Sequence, residues 1–463
     1  MVYPGRMADT SHELSTSVLR ERLEAAFPSL LEELTQLVAI PSVSSDPAHA
    51  ADVERSAEHL RERFAALGLQ AKVLRENAED GTEGKPALIA HTSHIEGAPT
   101  VLLYAHHDVQ PVGELHRWSL DPYRAEVRGD RIYGRGSSDD GAGVTVHLGS
   151  LSILGKDLPV NVVVFIEGEE EIGSPSFTAF LDAHRDELAA DVIVVTDSSN
   201  WKPGEPAVTT TLRGNAIVTV DVTVADHAVH SGAFGGPLLD SVAISSMLIA
   251  SLFDGKGDVV VPGLGGSDHA DVAWPEDELR EAAGMVEGLQ LAGSGDIAAR
   301  MWTKPSISVI GFDARPVANA SNTIAPHTRF RLSMRTVPGV DPTQAQAALV
   351  DYLLANVPFG ARVEVTAEDA GAGYQADMDS PVTAMLHECL TEAWGVSSVN
   401  IGVGGSIPFI SDFQRIFPGA QVLVTGVEDP LTNAHSEDES QSIPDLKAAI
   451  LAEALLLTRL ASL

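Results

Sequence analysis

The sequence predicts an α/β domain with a mostly parallel sheet flanked by helices, interrupted by an inserted α+β domain whose sheet is antiparallel. Two patterns support this reading. Short continuous apolar runs (VLLYA after Thr100, VVVFI from Val162, VIVV after Asp191, QVLV after Ala420) read as strands buried on both faces. After Arg213 the pattern changes to strict alternation, as in NAIVTVDVTV and RFRLSMRTV, which means strands with one wet face.

Taken in order, residues 12–39 carry a helical apolar stripe of Leu19, Leu23, Phe27, Leu30, Leu31, Leu34 and Leu37, stopped by Pro41. A second helix spans about 51–67 and ends at Gly68. Helical patterns at 142–155 and 175–188 separate the first three apolar strands, an alternation that implies parallel pairing. Within the insert, 237–254 and 342–355 read as helices, and the Gly-rich, acidic stretch 255–300 reads as a surface extension. The chain returns to the first domain at a helix starting near Ser380. The boundaries are therefore 1–212 with 379–463 for the main domain and 213–378 for the insert.

Composition narrows the function. Hydrophobic residues make up 44% of the chain, as in a globular protein, and the formal charge of −35 disfavours nucleic acid and anionic membranes as partners. The single cysteine, Cys389, rules out an internal disulfide framework and a cysteine zinc site. The polar N-terminus lacks a signal-peptide core, and no apolar run reaches the roughly 20 residues of a membrane span, so the expectation is a cytoplasmic protein. The sequon Asn319-Ala320-Ser321 then has no meaning as a glycosylation site.

Chemistry collects where the apolar runs end. His106-His107-Asp108 follows the first, Glu170-Glu171 the second, Asp197 the third, and Glu428-Asp429 with His435 the fourth; Asp139 and Asp140 sit in the Gly-rich loop YGRGSSDDGAG. Open α/β sheets bind ligands beyond the carboxyl ends of their strands. Adjacent carboxylates such as Glu170 and Glu171 repel each other and call for a cation. Imidazoles and carboxylates without thiolate suit zinc, manganese or cobalt. The donors exceed what one tetrahedral ion needs, which suggests two ions sharing a carboxylate. Such a pair lowers the pKa of a water between them and polarises a carbonyl. A further carboxylate is needed to take the water's proton. No Gly-Lys-Ser/Thr follows the glycines, so a phosphate loop is disfavoured.

HHDVQP, YGRGSSDDGAG, EGEEEIGSP, the Asp after VIVVT, HSGAFGG, SMRTVP, GGSIP and AHSEDE occur in this order. Together, from about residue 16 to the end, they resemble the dinuclear metallopeptidases that include carnosinase-like dipeptidases, carboxypeptidase G, aminoacylase and succinyl-diaminopimelate desuccinylase. The cytosolic dipeptidase branch is the most similar. The resemblance implies hydrolysis of dipeptides or short peptides with a free C-terminal carboxylate, by a hydroxide bridging two divalent ions, zinc foremost. An aminoacylase or carboxypeptidase on the same scaffold is the alternative, and a non-catalytic binding protein is disfavoured by the complete donor set. By the same resemblance His106 and Asp197 bind one ion, Glu171 and His435 the other, and Asp139 bridges them, with a cis peptide expected at Asp139–Asp140. Glu170 is the general base, and Asp108 accepts a hydrogen bond from the His106 imidazole. The insert becomes a lid and dimerisation domain of a homodimer. In it, His230 donates to the oxyanion from the other subunit. Arg335 pairs with the substrate carboxylate, Asn322 and Thr323 lie nearby, and Gly404, Gly405 and Ser406 form a backbone-rich pocket. His107 is expected to be a neighbour inside the motif, His116 and His147 structural, His227 a surface or structural residue, Arg213 a hinge residue, and Glu167 and Glu169 spectators. Gly141 stands where the family often has Lys, Gly402-Val403 where it often has Arg-Glu, and Asp438 where it has Asn, which leaves substrate preference open.

Overall fold

The computed structural model describes residues 14–405 and 408–462, which divide into two compact units. The first comprises residues up to 208, Asp377–Val399 and Phe413 onward. The second comprises Thr209–Ala376 and Asn400–Asp412, so the segment after Val399, read above as main domain, packs with the insert.

The first unit is built on a six-stranded sheet in the order Gln70–Leu74, Ala87–His91, Asn161–Glu167, Thr100–His106, Val192–Val195, Gln421–Val424. The last four are the runs read from sequence, and they pair in parallel. The first two are additional: Ala87–His91 runs antiparallel to Asn161–Glu167, and Gln70–Leu74 antiparallel to Ala87–His91. The sheet is thus mixed and mostly parallel. Thr100–His106 lies at its centre with every residue after Thr100 buried, as its unbroken apolar sequence requires.

Helices cover this sheet. Thr16–Val38 buries the predicted stripe, and Gly141–Leu154 is buried almost all round beside Ile443–Leu460. The Gly141–Leu154 helix starts where it does because Asp140 caps it, its Oδ1 accepting from Gly143 N at 3.1 Å. The expected helix over 175–188 is two pieces, Phe177–Ala183 and Arg185–Leu188. His184 leaves helical geometry between them, its ring against Phe180 and its Nε2 3.2 Å from Glu76.

In the second unit four antiparallel strands run in the order Ser306–Phe312, His327–Thr336, Gly214–Thr223, Arg362–Gly371. Ala216, Val218, Val220 and Val222, with Phe330, Leu332 and Met334, form the dry face. They pack against Ile244 and Leu248 of helix Ser241–Ala250 and Leu349 and Leu353 of helix Pro342–Ala355. The stretch 255–300 is more anchored than a surface extension. Val261, Leu264, Val272, Ala298 and Ala299 are buried, and Lys304 Nζ holds Asp258 and Asp268, each at 2.7 Å. Among the described residues, no helix is long and apolar enough to cross a membrane.

Candidate metal centre

His106 is the last residue of the central strand, so the sheet fixes its backbone and projects its ring past the carboxyl edge. Asp140 Oδ2 accepts the His106 N–H at 3.1 Å, and this draws the Gly-rich loop onto the strand end. Asp139, joined to Asp140 by a cis peptide, is thereby placed between two imidazoles. Its Oδ1 lies 3.0 Å from His106 Nε2 and its Oδ2 lies 2.8 Å from His435 Nε2. Asp197, two residues past its strand, reaches His106 Nε2 at 4.0 Å, and Glu171 Oε2 lies 3.1 Å from His435 Nε2.

The donors fall into two groups, each with one atom per residue inside a 4.8 Å span: His106, Glu170 and Asp197 in one, Asp139, Glu171 and His435 in the other. Asp139 touches an imidazole of each group, Oδ1 against His106 and Oδ2 against His435. This set suits two divalent ions sharing a carboxylate. Glu170 reaches into the first group, so its carboxylate stands within reach of whatever that group holds.

The electrostatics agree. Burial, reinforced by Asp197, pushes Glu170 up to about 9, and burial pushes Asp197 up to about 7. Glu171 is raised, again chiefly by burial. Burial would raise Asp139 too, but hydrogen bonds from His106 and His435 overcome it and hold this carboxyl well below its ordinary range. His435 is raised to about 11 by its bonds to Asp139 and Glu171. Carboxylates this close stay ionised together only beside a compensating cation.

The supporting groups go beyond expectation in one respect. His106 Nδ1 bonds the main-chain carbonyl of Asp108 at 3.0 Å, with the Asp108 carboxylate further off at 3.4 Å. That carboxylate also accepts the backbone N–H groups of Glu170 and Glu171, both at 3.1 Å. Asp108 therefore orients all three neighbours.

Four residues were missed or undervalued in the sequence. Glu439, fully buried, accepts from Arg135 Nη1 (2.6 Å), Gly136 N (3.0 Å), Ser138 N (3.0 Å) and Asp139 N (3.1 Å). Only its place four residues after His435 hints at this. Gln110 Nε2 donates to Glu171 Oε2 at 2.7 Å. Glu169 pins the loop by accepting from Lys85 N at 2.9 Å and Ser176 N at 2.7 Å. Glu167, pushed up to about 8 by burial, is held by the Tyr104 hydroxyl. His107 donates to Pro86 O at 2.9 Å, and His147 lies between Glu453 and the Tyr104 carbonyl, both away from the donor set. His116 and His227 are exposed.

In the second unit, Val229–His230 pairs with Thr323–Ile324, setting His230 opposite Thr323, and Asn322 O accepts Ser231 N at 3.0 Å. The structure thus brings His230, Asn322 and Thr323 together. His230 Nδ1 accepts from Gly232 N at 3.1 Å, which assigns the proton to Nε2. Arg335 stands on the wet face of its strand, opposite Asn215 on one side and Ser306 on the other. Gly404 and Gly405 follow strand Val399–Val403, while Ser406 lies outside the described residues.

Residues 102–459 match Peptidase family M20/M25/M40. The chain is 32% identical over 460 residues to a cysteinylglycine-S-conjugate dipeptidase of Corynebacterium striatum, covering 96% of this chain and 97% of that one. It is 26% identical to a beta-Ala-His dipeptidase of Rattus norvegicus, covering 94% and 93%. Among solved structures, the di-peptidase Dug1p of Saccharomyces cerevisiae superimposes with a TM-score of 0.74 at 22% identity, covering 97% of this chain and 99% of that one.

Proposed function

This chain belongs to Peptidase family M20/M25/M40, and from that premise we propose that it is a two-metal dipeptidase acting on unblocked dipeptides with a free C-terminal carboxylate. The observation that carries this reading is the Asp139 carboxylate shared between two imidazoles, with Glu170 alongside. The relatives' names, cysteinylglycine-S-conjugate dipeptidase and beta-Ala-His dipeptidase, support the substrate class.

His106 and Asp197 would hold one ion, Glu171 and His435 the other, with Asp139 common to both. Zinc is the first choice, and manganese or cobalt also suit these donors. When bound, the ions supply Lewis acidity to the scissile carbonyl and acidity to the attacking water. The residues do the rest. Glu170, on a backbone fixed by Asp108, takes the water's proton and returns it to the leaving amine. His230, with its proton on Nε2, donates to the tetrahedral oxyanion. Arg335 pairs with the substrate carboxylate, and Asn322, Thr323 and Gly405 line the same end. We assign the insert to a homodimer interface. Val309, Ile310 and Phe312 on its free edge strand Ser306–Phe312 leave an apolar surface exposed, which favours a partner there.

The test is metal analysis combined with a substrate panel. The expected result is two divalent ions per chain and hydrolysis of unblocked dipeptides. Turnover of N-acyl amino acids with none of any unblocked dipeptide overturns the reading in favour of an aminoacylase.

A further inference from the structure

Arg213 and Arg335 are two half-buried guanidinium groups in the insert. Neither has a carboxylate partner among the described residues, in a chain with 65 acidic residues against 30 basic ones. Arg335 faces Asn215 across one strand pair and Ser306 across the other. Arg213 lies two residues before Asn215, on the same side of the extended chain, and its Nη1 donates to Ser306 Oγ at 3.1 Å. Strand register and this bond bring the two cations together.

Arg213 spends its other bonds on neutral acceptors. Nε donates to Gly404 O at 3.1 Å, and Nη1 also meets the carbonyls of Arg300 at 3.5 Å and Lys304 at 3.4 Å. Nη2 has no partner among the described residues. It lies 3.1 Å from where a Cβ on residue 404 would stand, so the missing side chain of Gly404 leaves that edge open. Arg335 makes no hydrogen bond or ion pair among the described residues. Burial first, and the charge of Arg335 second, hold the Arg213 guanidinium down at about 10. One carboxylate neutralises one of these charges; a dicarboxylate neutralises both.

We propose that Arg213 and Arg335 form a doubly cationic subsite that selects dipeptides whose C-terminal residue carries a second carboxylate, aspartate or glutamate. The proposal rests on the dipeptidase reading above. Arg335 takes the α-carboxylate, and Arg213, through Nη2, takes the side-chain carboxylate. A local cation is also what such a substrate needs to approach a chain of formal charge −35.

The experiment compares kcat/KM of the metal-loaded enzyme for Ala-Glu against Ala-Gln and Ala-Asp against Ala-Asn. The acidic member of each pair should be favoured roughly tenfold, mostly through KM, and the ratio should shrink with added salt. Arg213→Gln should bring the ratio near one, while Arg213→Lys keeps most of it. Damage to the loops that Arg213 ties together acts on both members of a pair, so the ratio isolates the charge. Hydrolysis of other unblocked dipeptides but of none of these four overturns the subsite alone, and hydrolysis of no unblocked dipeptide overturns the dipeptidase reading. Hydrolysis with equal kcat/KM within each pair overturns the subsite alone, and so does a wild-type ratio in Arg213→Gln.

Discussion

Glu170 and Glu171 are neighbours in sequence with opposite assignments, and the difference comes from what holds each. Glu171 is bonded through its carboxylate to Gln110 and His435. Glu170 has its backbone fixed by Asp108 and its carboxylate left to burial. Glu170→Gln should therefore keep both ions, measured by elemental analysis, while lowering kcat by about 10²–10⁴-fold. Loss of an ion in this variant would make Glu170 a ligand. The candidate ligands were legible because each stands directly after an apolar run, where a parallel sheet presents its strand ends. The second role of Asp108 was not, because it depends on how the Glu170 loop closes over the His106 loop. Glu439 was hidden for the same reason: its donors, Gly136, Ser138 and Asp139, lie some 300 residues away.

At the scale of elements, periodicity revealed the strands that carry chemistry and missed Gln70–Leu74 and Ala87–His91. These lie toward one edge of the sheet, and their sequences, QAKVL and ALIAH, lack the unbroken Val-rich run that marks even the shorter Val192–Val195. The loop Gly136–Asp139 is held by the Glu439 carboxylate, which also neutralises Arg135. Glu439→Gln puts an amide against N–H donors and leaves the Arg135 cation without its partner. It should cost roughly 3–5 kcal/mol in a denaturant melt. Metal affinity should fall about 10–100-fold by calorimetric titration. The helix pair beneath the sheet is equally tight. A Cβ at Gly149 would stand 2.8–2.9 Å from three atoms of Ile450, so Gly149→Ala should destabilise by about 1–3 kcal/mol without altering the metal content of the folded fraction.

For the whole molecule, the donor set makes stability depend on pH and metal together. In the metal-free protein Glu167 is raised to about 8, Asp197 to about 7 and Glu170 to about 9, each above its unfolded value. The folded state therefore binds more protons than the unfolded chain. This contribution is complete below about pH 4 and is lost as pH rises through 7 to 9. His435, raised to about 11, acts in the same direction above its unfolded value. The metal-free protein should melt at a lower temperature at pH 8.5 than at pH 6. Added zinc should raise the melting temperature more at the higher pH, with proton release on binding. A metal-free melting temperature that climbs between pH 6 and 8.5 would contradict this account of the site.

Asp139 is gripped by one imidazole from His106 and another from His435, with the whole insert synthesised between them. A ribosome must therefore synthesise the whole insert before the second half of the centre exists. Of the donors in the two candidate groups, the nascent chain until then holds His106, Asp139, Glu170, Glu171 and Asp197. On the proposed two-metal reading, full-affinity capture of the second ion becomes a late event in biosynthesis, and a chain cut short before His435 is left with an incomplete centre.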